Sequence, residues 1–322
     1  MRRRSALALP ALALPALLLA GRAAAQGFPQ RPVTVVVPFP PGGSTDVAAR
    51  LLAEPMAAAL GERVVVENRG GGATVVGTDY AAHAPADGYT LLMASGTAST
   101  INPIIARNLP YKPSDFAPVS LVAKLPFAVN VRPGLPQTLA EIVAMAKAQP
   151  GRLTHGTNGP SSFNNIAWAL VQDALGFRTQ DVTYRGDSAQ LNDFAGGRLD
   201  LIVVGGSTGL QAERNRMGKL VAWTGDRRMP STPEVPLVAE LSPGCVAQTW
   251  FCLLAPARTP PEAIAKLNAA AQRAIATQEF QDRMLAEGQF AEGSTPEGLG
   301  DFLRAEDARW RPVLARLNVR MD

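Results

Sequence analysis

The sequence predicts an α/β protein of two lobes, each a sheet flanked by helices, joined by two extended crossings. Three observations predict it. Short β-branched apolar runs alternate with Ala/Leu-rich helical segments, which is the pattern of βαβ units. Several predicted strands end in turns rich in glycine, serine or threonine that open a helix directly. Two apolar extended segments, 127–131 and 250–255, split the alternation into two series and carry the chain out of one and back into it.

The chain opens with Met1-Arg2-Arg3-Arg4, an Ala/Leu segment over 6–20, and Ala23-Ala24-Ala25 before Gln26. This is the form of a secretory signal peptide. Its apolar segment holds Pro10 and Pro15 and falls short of the roughly 20 residues a membrane helix needs. The reading is therefore cleavage after Ala25 and export to the periplasm, rather than a retained anchor. Of the 31 basic residues, four (Arg2, Arg3, Arg4, Arg22) lie in this leader, and the remaining 27 match the 27 acidic ones, so the formal charge of +4 belongs to the leader. A neutral remainder, without Lys/Arg clusters interleaved with aromatics, carries no footprint for nucleic acid.

After the leader, strands at Val33–Val37, 64–67 and 90–94 are separated by helices over 45–60 and 77–83, which implies a parallel sheet with right-handed crossovers. The segment 127–131, bounded by Pro126 and Pro133, is the first crossing. A second series follows, with helices at Leu139–Ala148, 164–175, 188–195 and 208–216 and strands at 153–155, 182–184, 199–204 and 220–224. The segment 250–255 crosses back, and helices over 261–276, 279–287 and 296–314 close the chain. The predicted division is 1–25 as signal peptide, 26–125 with 251–322 as the first lobe, and 126–250 as the second. Ligands of open α/β sheets lie beyond the carboxyl ends of the strands. Two facing lobes thus form a cleft lined by strand-to-helix loops.

The first such loop is the most informative. The run Val33–Val37 breaks at Pro38-Phe39-Pro40-Pro41-Gly42-Gly43, and Ser44-Thr45-Asp46 opens the next helix. Free backbone N–H groups and the helix dipole make that junction suited to an anion. It lacks the lysine of a phosphate-binding Walker loop, and Gly70-Gly71-Gly72 through Gly77 fits no register of G-x-G-x-x-G, so no nucleotide is expected. Gly205-Gly206-Ser207-Thr208-Gly209 does satisfy G-x-S-x-G between a strand and a helix, the setting of a hydrolase nucleophile. Such hydrolases place their histidine after the serine, and the two histidines here are His83 and His155. A serine without its base is a poor nucleophile, and the enzyme reading is set aside.

These histidines and the two cysteines, Cys245 and Cys252, stand at none of the metal-ligand spacings, so neither metal nor cofactor is expected. Cys252 lies in Trp250-Phe251-Cys252-Leu253-Leu254, which reads as a buried strand. Two unpaired cysteines are the favoured reading over a disulfide, although an oxidising compartment permits one. His155 reads as structural, and His83 as a helix cap. Arg185 ends a strand beside the cleft, either as a bidentate carboxylate contact or as part of a surface ion pair.

Taken together, the stretch from Pro38 to Ala53, Val65-Val66-Glu67-Asn68-Arg69-Gly70-Gly71-Gly72, Ala86-Asp87-Gly88-Tyr89-Thr90-Leu91-Leu92 and Phe116-Ala117-Pro118-Val119-Ser120-Leu121-Val122 resemble the Bug family, the periplasmic receptors of tripartite tricarboxylate transporters. The likeness continues through Tyr184-Arg185-Gly186, Gly197-Arg198-Leu199-Asp200-Leu201, Pro233-Glu234-Val235-Pro236 and Trp250-Phe251-Cys252-Leu253-Leu254-Ala255-Pro256. It implies a two-lobed Venus-flytrap periplasmic binding protein of type II that captures a small carboxylate and delivers it to a membrane permease, with presentation to a membrane sensor kinase as the alternative.

The resemblance also implies where the ligand is held. In the first lobe the positions are Pro41, Gly42, Gly43, Ser44, Thr45, Asp46, Ser95, Gly96 and Thr97. In the second they are Thr157, Asn158, Ser161, Ser162, Asn165, Tyr184, Arg185, Gly186, Gly205, Gly206 and Ser207. Two departures stand out. Asn165 occupies the region where the family commonly has a histidine, and Val204 stands at the position where it often carries an acid. The loss of that acid argues against an amino acid and favours a dicarboxylate or an apolar or aromatic carboxylate.

Overall fold

The computed structural model describes residues 27–321; the leader reading for 1–25 lies outside them. Among the described residues no helix is long and apolar enough to cross a membrane. The first series is β1 (Val33–Val37), α1 (Ser44–Leu60), β2 (Val64–Asn68), α2 (Val75–Ala82) and β3 (Thr90–Ser95), followed by a π-helical turn at Thr97–Ile101 that runs into α3 (Asn102–Ile105). β4 (Phe116–Val131) leads to the second series: α4 (Leu139–Ala148), β5 (Thr154–Thr157), α5 (Phe163–Leu175), β6 (Gln180–Thr183), α6 (Asp187–Ala195), β7 (Leu201–Gly205), α7 (Gly206–Arg214), β8 (Lys219–Trp223) and α8 (Val238–Leu241). β9 (Gln248–Pro256) returns to the first lobe, and α9 (Pro261–Ile275), α10 (Gln278–Ala286), β10 (Phe290–Ala291) and α11 (Pro296–Arg316) close the chain.

Strand order runs β2-β1-β3-β9-β4-β7-β5-β6, with β8 and β10 also paired to β4. In the first lobe β1 is parallel to β2 and β3; the central strands β1 and β3 are covered on both faces and largely apolar, while edge strand β2 is partly exposed and ends in Glu67-Asn68. Val33, Val35 and Val37 pack with α1 and α9, while Val36, Leu92 and Ala94 face the opposite core. In the second lobe β5 is parallel to β6 and β7. β4 belongs to both lobes. It pairs with β9 as far as Pro126 and with β7 and β8 from Phe127 onward, antiparallel in each case.

The sequence reading begins this crossing at 127, whereas the strand begins at Phe116. The apolar run 116–126 is interrupted by Pro118 and Pro126, which break a strand signal because each removes a ladder donor. The chain accommodates them with register shifts against β9 between Pro118 and Ser120 and between Leu121 and Ala123. Where the β4–β9 ladder ends, one residue continues the tie between the two crossings. Thr224 donates its N–H to the Phe127 carbonyl and accepts the Phe127 N–H on Oγ1, and it bonds Ala247 through both its hydroxyl and its carbonyl.

The direction of β4 fixes where the loops go. It runs from the first lobe into the second, in the same sense as β1 and β3 and opposite to β7. The carboxyl ends of the parallel strands in both lobes therefore point at the same seam.

Candidate functional site

In the first lobe, the loop after β1 is held from within. Gly42 has φ +85°, a backbone conformation that favours glycine, and its N–H donates to Asp46 Oδ2 at 2.9 Å. Arg50 Nε donates to the same oxygen at 2.9 Å, and Asn68 Nδ2 donates to Oδ1 at 2.9 Å and to the Phe39 carbonyl at 3.1 Å. Asp46 is buried. Burial alone would raise its carboxyl, but the bonds from Arg50, Gly42 and Asn68 together outweigh that and hold it below the usual carboxylate value. Asp46, expected to face a ligand, is thus occupied in bracing its own loop.

The glycine run at 70–72 and Gly77 have a packing role here. A β-carbon on Gly77 would lie 2.4 Å from the Arg69 carbonyl oxygen, and one on Gly70 would press on Pro40 at 3.1 Å. α2 can therefore sit directly against the first loop.

The remaining predicted positions divide clearly. In the second lobe Asn158 Nδ2 donates to Asp187 Oδ1 at 2.7 Å, and Gln190 Nε2 fixes Asn158 Oδ1 at 2.6 Å. The Gly205 N–H donates to Asp187 Oδ2 at 3.0 Å. The lobes meet where Ser44 Oγ stands 3.4 Å from Ser207 Oγ. They also meet at Gly206, whose β-carbon would fall 2.6 Å from the Gly288 carbonyl oxygen, and at Gly96, whose β-carbon would fall 2.8 Å from the Phe163 ring. Thr97, Ser161 and Asn165 are partly exposed, and Pro41 and Gly43 are exposed. Thr45 and Ser95 are buried. Thr157 and Ser162 spend their hydroxyls on the Gly159 turn. Tyr184 donates to Asp193 Oδ2 at 2.9 Å, beside Gly186, and Arg185 is exposed.

Val204, aligned above with an acidic position, points instead into the core with Leu191 and Phe194. The next residue, Gly205, is the one that borders the seam. Sequence reasoning missed Asp187, Gln190 and Gly288. The acid directly after Gly186, at a strand-to-helix junction, was the available signal for Asp187.

The serine of the G-x-S-x-G motif faces Ser44 and is not bonded to a histidine. His155 is fully buried, its Nδ1 3.0 Å from Thr179 Oγ1 and 3.3 Å from Asp181, while His83 pairs with Asp79 at the surface. Among the described residues no cluster of three or more His, Cys, Asp or Glu could hold a metal. Cys245 and Cys252 are buried and unpaired, and burial pushes both thiols up. Two cavities of about 350 Å³ lie elsewhere, one under the first lobe near Tyr111, Leu254 and Leu303, the other beside the crossings near Gln248, Trp250 and Arg309.

Two α/β lobes joined by crossing strands, with their helix-opening loops meeting at one seam, define a two-lobed periplasmic-binding-protein fold. The family model of the tripartite tricarboxylate transporter family receptor matches residues 48–319, and the chain belongs to that family of solute-binding receptors. Protein BugT of Bordetella pertussis is 33% identical over 307 residues, 94% of each chain. Among solved structures, Rpa4515 of R. palustris with adipate superposes with a TM-score of 0.85 at 29% identity, covering 91% of this chain and 99% of that one. MatC of Rhodopseudomonas palustris with bound malate gives 0.79 at 29% identity, covering 89% and 100%.

Proposed function

We propose that this chain is a periplasmic receptor that closes around a small carboxylate and delivers it, as a monomer and without cofactor, to the permease subunits of a tripartite tricarboxylate transporter. The observation that carries this reading is the convergence of uncapped helix starts on one seam. α1, the π-helical turn, α5, α6 and α7 all begin there, and none has a side-chain cap. Away from it, α4, α10 and α11 are capped by Thr138, Thr277 and Thr295, and α9 opens at Pro260-Pro261 without a cap. Uncapped N-termini leave backbone donors and the positive end of the dipole for an anion. The adipate and malate named for two similar structures support a carboxylate.

In this reading residues 1–25 direct export. The lobes, 26–125 with 251–322 and 126–250, exchange between open and closed forms about the two crossings, and the ligand favours the closed form by touching both.

The test is a thermal-shift screen of residues 26–322, unfolded and refolded to strip ligand, against mono-, di- and tricarboxylates, aromatic acids and sugars. A ligand that binds only the native state raises stability by RT ln(1 + [L]/Kd). The expected result is stabilisation by one carboxylate class, reduced by Ser44→Ala and Thr97→Val. Stabilisation by sugars with every carboxylate inert would overturn the reading.

A further inference from the structure

We infer that Asp187 is the acceptor for a hydroxyl or ammonium group of the ligand, which narrows the cargo to carboxylates bearing a hydrogen-bond donor beside the carboxylate. The inference rests on the carboxylate reading above and goes beyond it in naming the subclass and the residue that selects it.

Three features converge on Asp187. First, its carboxylate is fixed in place. Oδ1 accepts from Asn158 at 2.7 Å, Asn158 is itself held by Gln190 at 2.6 Å, and Oδ2 accepts from the Gly205 N–H at 3.0 Å. Second, it keeps spare capacity. Each carboxylate oxygen has two lone pairs, and each has one donor here. Both donors are neutral, and among the described residues no Lys, Arg or His pairs with it.

Third, it stands at the seam between the lobes. A β-carbon on Gly205 would lie 3.4 Å from Asp187 Oδ2 and 2.9 Å from Ser44 Oγ, so the glycine is what lets the Ser44 hydroxyl of the first lobe approach beside the carboxylate of the second. A ligand group that reaches Asp187 is therefore within reach of both lobes.

The energetics favour a donor. Burial pushes the Asp187 carboxyl above its ordinary value because the ionised form lacks a cation. A ligand hydroxyl or ammonium relieves that cost, whereas a bare methylene leaves it standing and a second carboxylate beside it is repelled. A site built around a hydrogen bond discriminates strongly against the analogue that cannot make it. In this inference the acid missing at position 204 is supplied from a different element, against the expectation that an amino acid is disfavoured.

The test is calorimetric titration of stripped protein with matched trios: propionate, lactate and alanine; succinate, malate and aspartate; glutarate, 2-hydroxyglutarate and glutamate. In the wild type, the hydroxy or amino member of at least one trio is expected to bind about tenfold or more tightly than its unsubstituted parent. Asp187→Asn, checked for native circular dichroism, is expected to bring that ratio within about threefold, which a merely structural role would not do. The hydroxy and amino arms tell which donor the site takes. Parents that bind as well as their substituted partners in the wild type would overturn the inference without any variant, as would a ratio unchanged in folded Asp187→Asn. Those outcomes leave the carboxylate reading intact. Silence from all nine compounds together with a shift from sugars would overturn both.

Discussion

Each lobe braces its cleft loop with an aspartate at the start of a helix, and the two are in opposite states. Asp46 collects a guanidinium, an amide and a backbone N–H, and is held below the usual carboxylate value. Asp187 collects one amide and one backbone N–H, no cation, and is pushed above it. The difference lies in what surrounds each carboxylate: where the donors are sufficient and one is charged, the acid is consumed by structure; where they are few and neutral, it retains capacity for a ligand. A loop acid is therefore read for function by counting its donors, since both stand in the first turn of a helix, Asp46 third in α1 and Asp187 first in α6.

The comparison breaks most completely if the second lobe cannot reach the first. Gly206→Val places a side chain 2.6 Å from the Gly288 carbonyl oxygen, backbone against backbone, and is expected to cost at least about 100-fold in ligand affinity, measured by calorimetry, by barring the closed form. Next in size is removal of the first brace. Asp46→Ala leaves Gly42, Arg50 and Asn68 without their acceptor and is expected to destabilise the protein by about 2 kcal/mol in urea unfolding, the share of half-exposed Arg50 being small.

A smaller effect sharpens the contrast through pH. The stability contributed by Asp46 is complete above its unfolded value of 3.8 and is lost as pH falls through its lower folded value. Asp187 has the opposite sign: its folded value is raised, so stability is lost as pH rises from 3.8 through that value. In Tm scans of ligand-free protein from about pH 3 to about pH 7, the advantage of wild type over Asp46→Ala should shrink toward acid, and that over Asp187→Asn should grow toward acid. Smallest of all is Arg185→Ala. The side chain is exposed, and the change is expected to shift stability by under about 0.5 kcal/mol and affinity by less than about twofold in the same calorimetric assay.

Much of this architecture was legible in the sequence because β-branched runs such as Val33–Val37 end at proline and glycine, and because Ala/Leu-rich segments such as Leu139–Ala148 read as helices. β4 was cut short because Pro118 and Pro126 mimic a strand boundary, and two-residue β10 carries no period to read. The cleft loops were found because a glycine turn before a helix has a recognisable grammar. Which side chain of a loop faces the seam was not legible, since that is decided by packing: Val204 and Gly205 are adjacent, yet one enters the core and the other borders the seam.

Thr224 has a mechanical consequence. This buried residue bonds both crossings through its backbone and its hydroxyl at the point where β4 leaves β9, so sliding one crossing past the other would break the β4–β9 ladder and four further hydrogen bonds, each worth about 1 kcal/mol. Shear is therefore expensive, and twisting both strands as one ribbon is cheap. The pair of crossings is therefore stiffer to sliding than to rotation about its common length.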